Sequence, residues 1–387
     1  MTSILSSLSA AQISRLSTAT IAGLNSEDVN ALGSAQLKGL TSTQISSLST
    51  ENLALFSSED LRALSVTAVK GLTVEQIGIL DSAQITGLSS QQVTALYTSQ
   101  VAALSTEQIE ALTKDQIAGL TSGQVATLST DELALFTTDE IAAISAKALA
   151  GMTTEALHGL GTENAEALTK TQIAGLSSTQ LASLTSDSLS TFSPDEIKAI
   201  STKALAGLST DVLSKLGTET IASLSRTQVA ALSTTQFDSM STEQVEALTS
   251  DQIAGLSSAQ VATLNSTELA LFGTDEIAAI SAKAIAGLAT EVLAALGTET
   301  AEALTKTQIA GLSSAQLGSL TSDSLSTFSP DEIKAISTKA LAGLSTDVLS
   351  KLGTETIASL SRTQVAALST TQFDSMSTEQ VEALTSD

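Results

Sequence analysis

Residues 105–128 read "STEQIEALTKDQIAGLTSGQVATL", one eight-residue phrase written three times with small changes. With Ser105 as position 1 and Leu112 as position 8, the frame runs without insertion or deletion through the 387-residue chain, as forty-eight octads followed by Thr385, Ser386 and Asp387. Position 8 is always Leu, Ile, Phe or Met, from Leu8 to Leu384, and position 5 is always apolar, with Ala165 and Ala301 the smallest. Position 1 is Ser, Thr, Asn, Asp or Gly except at Met1, Tyr97 and Ala289. These are the residue types that begin helices, because a short side-chain oxygen or a permissive backbone satisfies the first free N–H groups.

Position 4 is most often Gln or Glu, so "STEQ" at 105–108 and "SPDE" at 193–196 read as capping boxes. Pro194 and Pro330 both fall at position 2, the first helical residue, where a missing N–H costs nothing. Acids crowd positions 3 and 4, as in Asp139-Glu140 and Asp195-Glu196, where the helix dipole favours negative charge. Each octad therefore opens a helix. One continuous helix is excluded, because eight residues advance it by about 800° and rotate the apolar stripe roughly 80° per unit, eventually into water. Coiled coils need periods of seven or eleven, and a β-solenoid would need alternation at period two. The octad reads as a short helix and a corner.

A single octad buries too little apolar surface to offset the ordering of its backbone, so neighbours above, below and beside must share one core. The fold class expected is all-α, a solenoid of short helices, one per octad, over a single continuous array 1–387. The favoured geometry has three helices per turn in a triangular prism, with two or four left open, positions 5 and 8 inside, and small residues at 6 and 7 letting layers approach. On this reading Leu120 is internal and Gln116 sits at a helix start that tolerates an acid. Phe56, Phe136, Phe192, Phe237, Phe272, Phe328 and Phe373 all occupy core phases.

A longer period overlies the octad. Residues 114–249 recur as 250–385 with scattered substitutions, and the part at 185–251 recurs unchanged at 321–387. The offset of seventeen octads is not a multiple of three, so at three units per turn the copies face different directions. That pattern suits growth in length better than a ligand-reading face.

Composition narrows function mainly by exclusion. A net charge of −24 repels nucleic acid and anionic membrane surfaces. The chain has no Cys and one His, so thiolate chemistry, disulfides and Cys- or His-built metal sites cannot be assembled. "MTSILSSLSA" at the start lacks the basic and apolar regions of a secretory signal, and no stretch approaches a membrane span. His158 has Ala294 as its counterpart in the second long copy and reads as a surface residue. Dozens of Ser are already explained as caps, and no G-x-S-x-G elbow accompanies them. The acid pairs read as dipole partners, since no calcium-loop spacing is present. Ser and Thr fall mostly at cap positions, which weakens an ice-binding reading. Lys and Arg are scattered. Tyr97 is expected at a corner, partly exposed. No catalytic, cofactor-binding or metal residue is singled out, and no cofactor or enzymatic activity is expected.

The octads of "GLSSAQVATL" (255–264) and "ALTKTQIAGL" (303–312) resemble low-complexity octapeptide arrays of very large bacterial surface or secreted proteins, adhesin-like or filament-like. The resemblance covers the whole chain. It implies an extended spacer or filament segment at a cell surface or in extracellular matrix, self-associating end to end or forming part of a larger surface protein. A scaffold that binds a partner protein or glycan through Ser, Thr and Gln is the alternative. The absence of Cys is compatible with an extracellular and a cytosolic home alike.

The octad frame has a direct test. Deleting residues 209–232, three whole octads, should leave thermal unfolding by circular dichroism nearly unchanged, whereas deleting four residues within the same stretch should lower the midpoint sharply by misplacing one cap and one core layer. Equal midpoints would refute the frame.

Overall fold

The computed structural model describes residues 4–384, which fall into two compact units divided between Ala204 and Leu205. The octad register passes through the junction unbroken. Both units are built in the same way. After a 3₁₀ turn at Ile4–Ser7, every octad from Ala10 to Ala383 forms one α-helix of four to six residues, and no strand occurs among the described residues.

The octad beginning at Ser105 shows how sequence makes the element. Ser105 has extended backbone, φ −73° and ψ 163°. Its Oγ accepts from the Gln108 N–H at 3.3 Å, while Gln108 Oε1 accepts from the Ser105 N–H at 2.8 Å. This is the reciprocal capping box, and it satisfies two donors that a helix start leaves free. The Ile109 N–H then bonds the Ser105 carbonyl at 2.9 Å, and the Leu112 N–H closes back on Ile109 at 3.1 Å. The helix stops because position 8 and the next position 1 are both extended, as at Leu48 (ψ 140°) and Ser49 (ψ 156°). Two extended residues make the corner, and the next cap restarts the helix. Gly161 is the departure: it lies inside its helix, Gly161–Glu166, with φ 77° and without a capping side chain. Only glycine holds that backbone cheaply.

Positions 5 and 8 form the core as expected: Ile109, Leu112, Ile117 and Leu120 are buried, and so are Phe56, Phe136 and Phe237. Within each unit, helices pack on the third before them, for example Thr138–Ala143 on Lys114–Ala118 and Pro330–Ala335 on Lys306–Ala310. Side-chain hydrogen bonds nevertheless reach 28 to 31 residues back, into the fourth octad. A turn therefore takes more than three octads and fewer than four. The stack is a solenoid of short helices whose layers are staggered rather than a flush triangular prism. The stagger seats position 7 of one octad over position 2 of the octad three before. A Cβ on Gly71 would overlap the Ser42 backbone, and one on Gly343 would overlap that of Ser314. The expectation for small residues at position 7 thus has a steric basis.

Replacing Gly71 with Val should push two layers apart and cost on the order of 1–3 kcal/mol. The same change at Gly78, where an added Cβ meets nothing within 4 Å, should cost less. Urea denaturation of the two variants decides this, and equal losses would contradict the packing.

Candidate functional site

No described group of His, Cys, Asp and Glu converges in a way that could hold a metal ion. The residues singled out from sequence are dispersed over the surface. His158 is exposed, with Nδ1 3.0 Å from the Ser183 carbonyl of the octad three later. Tyr97 is 57% exposed at its corner and makes no side-chain capping bond, although its N–H donates to Gln100 Oε1 at 2.6 Å. Asp139 and Asp195 sit 4.0 and 3.6 Å from Lys114 and Lys170, pairing exposed charges between turns. Such pairs are worth about 0–1 kcal/mol. Glu140 and Glu196 accept from the backbone N–H groups of Thr137 and Ser193, each at 2.8 Å, and so act as capping partners. At Glu51, Glu243 and Glu379 the residue's own backbone N–H, and then the capping Ser hydroxyl, hold the carboxyl below its usual pKa. A depressed folded-state pKa favours the fold above the ordinary carboxylate range, and that contribution is lost as pH falls through the lowered value.

The polar group with the most demanding geometry is one that sequence reasoning placed wrongly. Gln116 is 2% exposed. Its Oε1 accepts from the Thr113 N–H at 2.8 Å, and its Nε2 donates to the carbonyls of Ile85 and Leu88, both at 2.7 Å. One amide thus caps its own helix and ties it to the end of the helix four octads earlier. Gln76, Gln108, Gln124, Gln172, Gln252, Gln308 and Gln364 repeat the arrangement with the same spacing. Asn52 reaches the Leu24 carbonyl at 2.8 Å with a shorter arm.

Position 4 is therefore a third internal phase, which corrects the expectation that Gln116 tolerates an acid. A carboxylate has no donor for the two carbonyls, and burial penalises its charge. Where the chain does carry Glu at position 4, the side chain keeps only half of the role. Glu132 accepts from the Ser129 N–H and Oγ at 2.7 and 2.8 Å and stays half-exposed, giving nothing to the layer below. The signal available in sequence was chemical: a capping box accepts Glu or Gln alike, so the prevalence of Gln marks a need for the N–H₂ donors.

With this geometry in view, the comparisons with known proteins are consistent. The family model described as the ALTTAQ repeat matches residues 21–58, 53–90, 87–122 and 221–258. These stretches carry the Leu, Ser/Thr and Gln phases of the solenoid, and they identify the chain as a repeat array in those segments. No curated protein matches it.

Gln116→Asp should destabilise comparably to Leu120→Asp, and Gln116→Glu only somewhat less. Losing a buried donor pair leaves two carbonyls facing an acid, at about 1–3 kcal/mol per unsatisfied group. Guanidinium denaturation, with Lys114→Ala as an exposed control, checks this. A near-neutral Gln116→Asp would overturn the buried assignment.

Proposed function

We propose that this chain is a structural spacer, a stiff repeat segment whose contribution is length, belonging to a filament or extended surface protein at a bacterial cell surface or in extracellular matrix. The observation that carries the reading is the use of the octad itself: positions 1, 4, 5 and 8 are committed to capping, interlayer bonding and core, so little in the motif is free for chemistry. Burial of the glutamines also weakens the alternative of a Gln-displaying binding scaffold, since Gln92, Gln124 and Gln260 are each 1% exposed. The acidic surface adds to the case. A net charge of −24 opposes side-by-side clustering of copies, while stacking along the axis relies on apolar contact and amide bonds that charge does not block. No helix among the described residues is long and apolar enough to cross a membrane.

End-to-end continuation belongs to the same proposal. Phe373 and Val381, on core phases that other layers cover, are 39% and 38% exposed. A second copy stacked on this face would cover them. Stacking of unlike faces propagates unless something closes it.

Negative-stain imaging of the purified chain should show elongated particles, and light scattering should show mass rising with concentration. Val381→Lys with Leu384→Lys should suppress that rise while helical content by circular dichroism changes little. Compact particles would refute the spacer reading, and superimposed scattering curves for both proteins would refute self-association.

A further inference from the structure

The glutamine ladder is not continuous. From Gln76 to Gln124, seven consecutive octads each donate to the layer below. The next five carry Glu132, Glu140, Ala148, Ala156 and Asn164 at position 4. Five more such octads follow Gln180 (Ser188, Glu196, Ala204, Val212, Thr220), five follow Gln260 (Glu268, Glu276, Ala284, Val292, Thr300), and another five follow Gln316 (Ser324, Glu332, Ala340, Val348, Thr356). Of these twenty described positions, only Ser324 gives a side-chain hydrogen bond to the octad four before, at a long 3.5 Å to Leu296. Because a turn takes fewer than four octads, each gap of five removes the ladder from a whole layer.

Two surface clefts border these blocks. Ala284 stands where a glutamine would reach the Leu256 carbonyl, and both residues line a cleft of about 460 Å³. Leu128, twenty-eight residues before Ala156, lines another of about 420 Å³ with Thr130, Thr153 and Glu155. In the last gap a small apolar void touches Leu341, Leu349 and Thr356. Capping weakens in the same places: Gly297 and Gly353 begin the final octads of their gaps without a capping side chain, and the octad at Gly161 has lost its cap altogether.

We propose that these glutamine-free blocks are built-in seams, layers at which the stack opens first while the glutamine runs between them stay closed. The apolar core continues through each seam, with Leu133, Ile141, Leu149, Leu269, Ile277 and Ile285 all buried. A seam is therefore a weak junction inside a folded stack and not a linker. In a solenoid, stability is a sum of nearest-neighbour interface terms, so removing one class of bond from one layer localises opening there. The 136-residue duplication carries seams along with it, placing weak layers at set intervals. Under tension, a chain so built lengthens in steps, one seam at a time. The inference concerns where the stack opens and holds whether or not the chain serves as a spacer.

Hydrogen exchange read by mass spectrometry on the full chain tests it, with rates corrected for intrinsic sequence effects. Amides in 132–164 and 268–300 should exchange roughly tenfold or more faster than those in 76–124 and 236–260. Ala148→Gln with Ala156→Gln should slow exchange in the first block, because the new amides can reach the carbonyls of Ile117, Leu120, Val125 and Leu128. The reverse change, Gln92→Ala with Gln100→Ala and Gln108→Ala, should create a fast-exchanging block in a formerly slow run. Uniform exchange along the wild-type chain overturns the proposal, as does a ladder-deleted variant whose fast amides spread over the whole chain instead of staying in the altered layer.

Discussion

A single carboxamide, facing two ways, holds the architecture together. Its oxygen completes the cap of the helix that carries it, and its nitrogen closes two carbonyls of a helix whose own hydrogen bonding has run out. Neither Glu nor Ser can do both, because one lacks the donors and the other lacks the reach. Helices of four to six residues are far below the length at which isolated helices persist in water, so each survives only as part of the stack. The amide matters beyond its own energy of about 1 kcal/mol per hydrogen bond. It supplies direction, fixing which carbonyl lies beneath which cap, where apolar contact between Leu and Ile side chains would tolerate sliding.

Much of this fold was legible in the sequence, and the part that was not has a specific reason. Position 1 announced helix starts, the unbroken 5-and-8 pattern announced a shared core, and the octad ruled out a continuous helix on geometry alone. Burial of Gln116 was hidden because a sufficient local explanation already existed. The capping box accounts for a Gln three residues after a Ser or Thr using only its oxygen, and nothing within eight residues reveals that the nitrogen has a partner twenty-eight residues away. The number of octads per turn was hidden for a related reason. Capping and core phases are properties of one octad, whereas the staggered turn is set by contacts such as Gly71 on Ser42, between residues of different octads.

The candidate site is legible mainly through what the octad uses up. His158, Tyr97 and the acid pairs were expected at the surface or at helix starts, and they are found there, separated from one another. The acids show why a charge-rich motif need not be a ligand site: Glu140 and Glu196 meet the backbone N–H groups of their own caps, and Asp139 and Asp195 lean toward lysines of the preceding turn. Each carboxylate already has a local partner. What distinguishes one octad from another is chiefly the residue at position 4, and the ALTTAQ repeat matches cover octads both with and without glutamine there, such as those of Asp60 and Ala68 among their neighbours.

The constant reach of that amide has a consequence for how such a chain can change over generations. From Gln44 onward the amide's donor and acceptors stand 28 and 31 residues apart in one glutamine octad after another, so a copied stretch of any whole number of octads arrives with its partners already in register. Recombination between near-identical segments, of the kind recorded by the unchanged recurrence of 185–251 at 321–387, can therefore lengthen or shorten the gene product without posing a new folding problem. Most folds must redesign an interface to grow. Here the junction created by a crossover has the same chemistry as the junctions that it interrupts, and length becomes a heritable quantity adjustable in steps of eight residues.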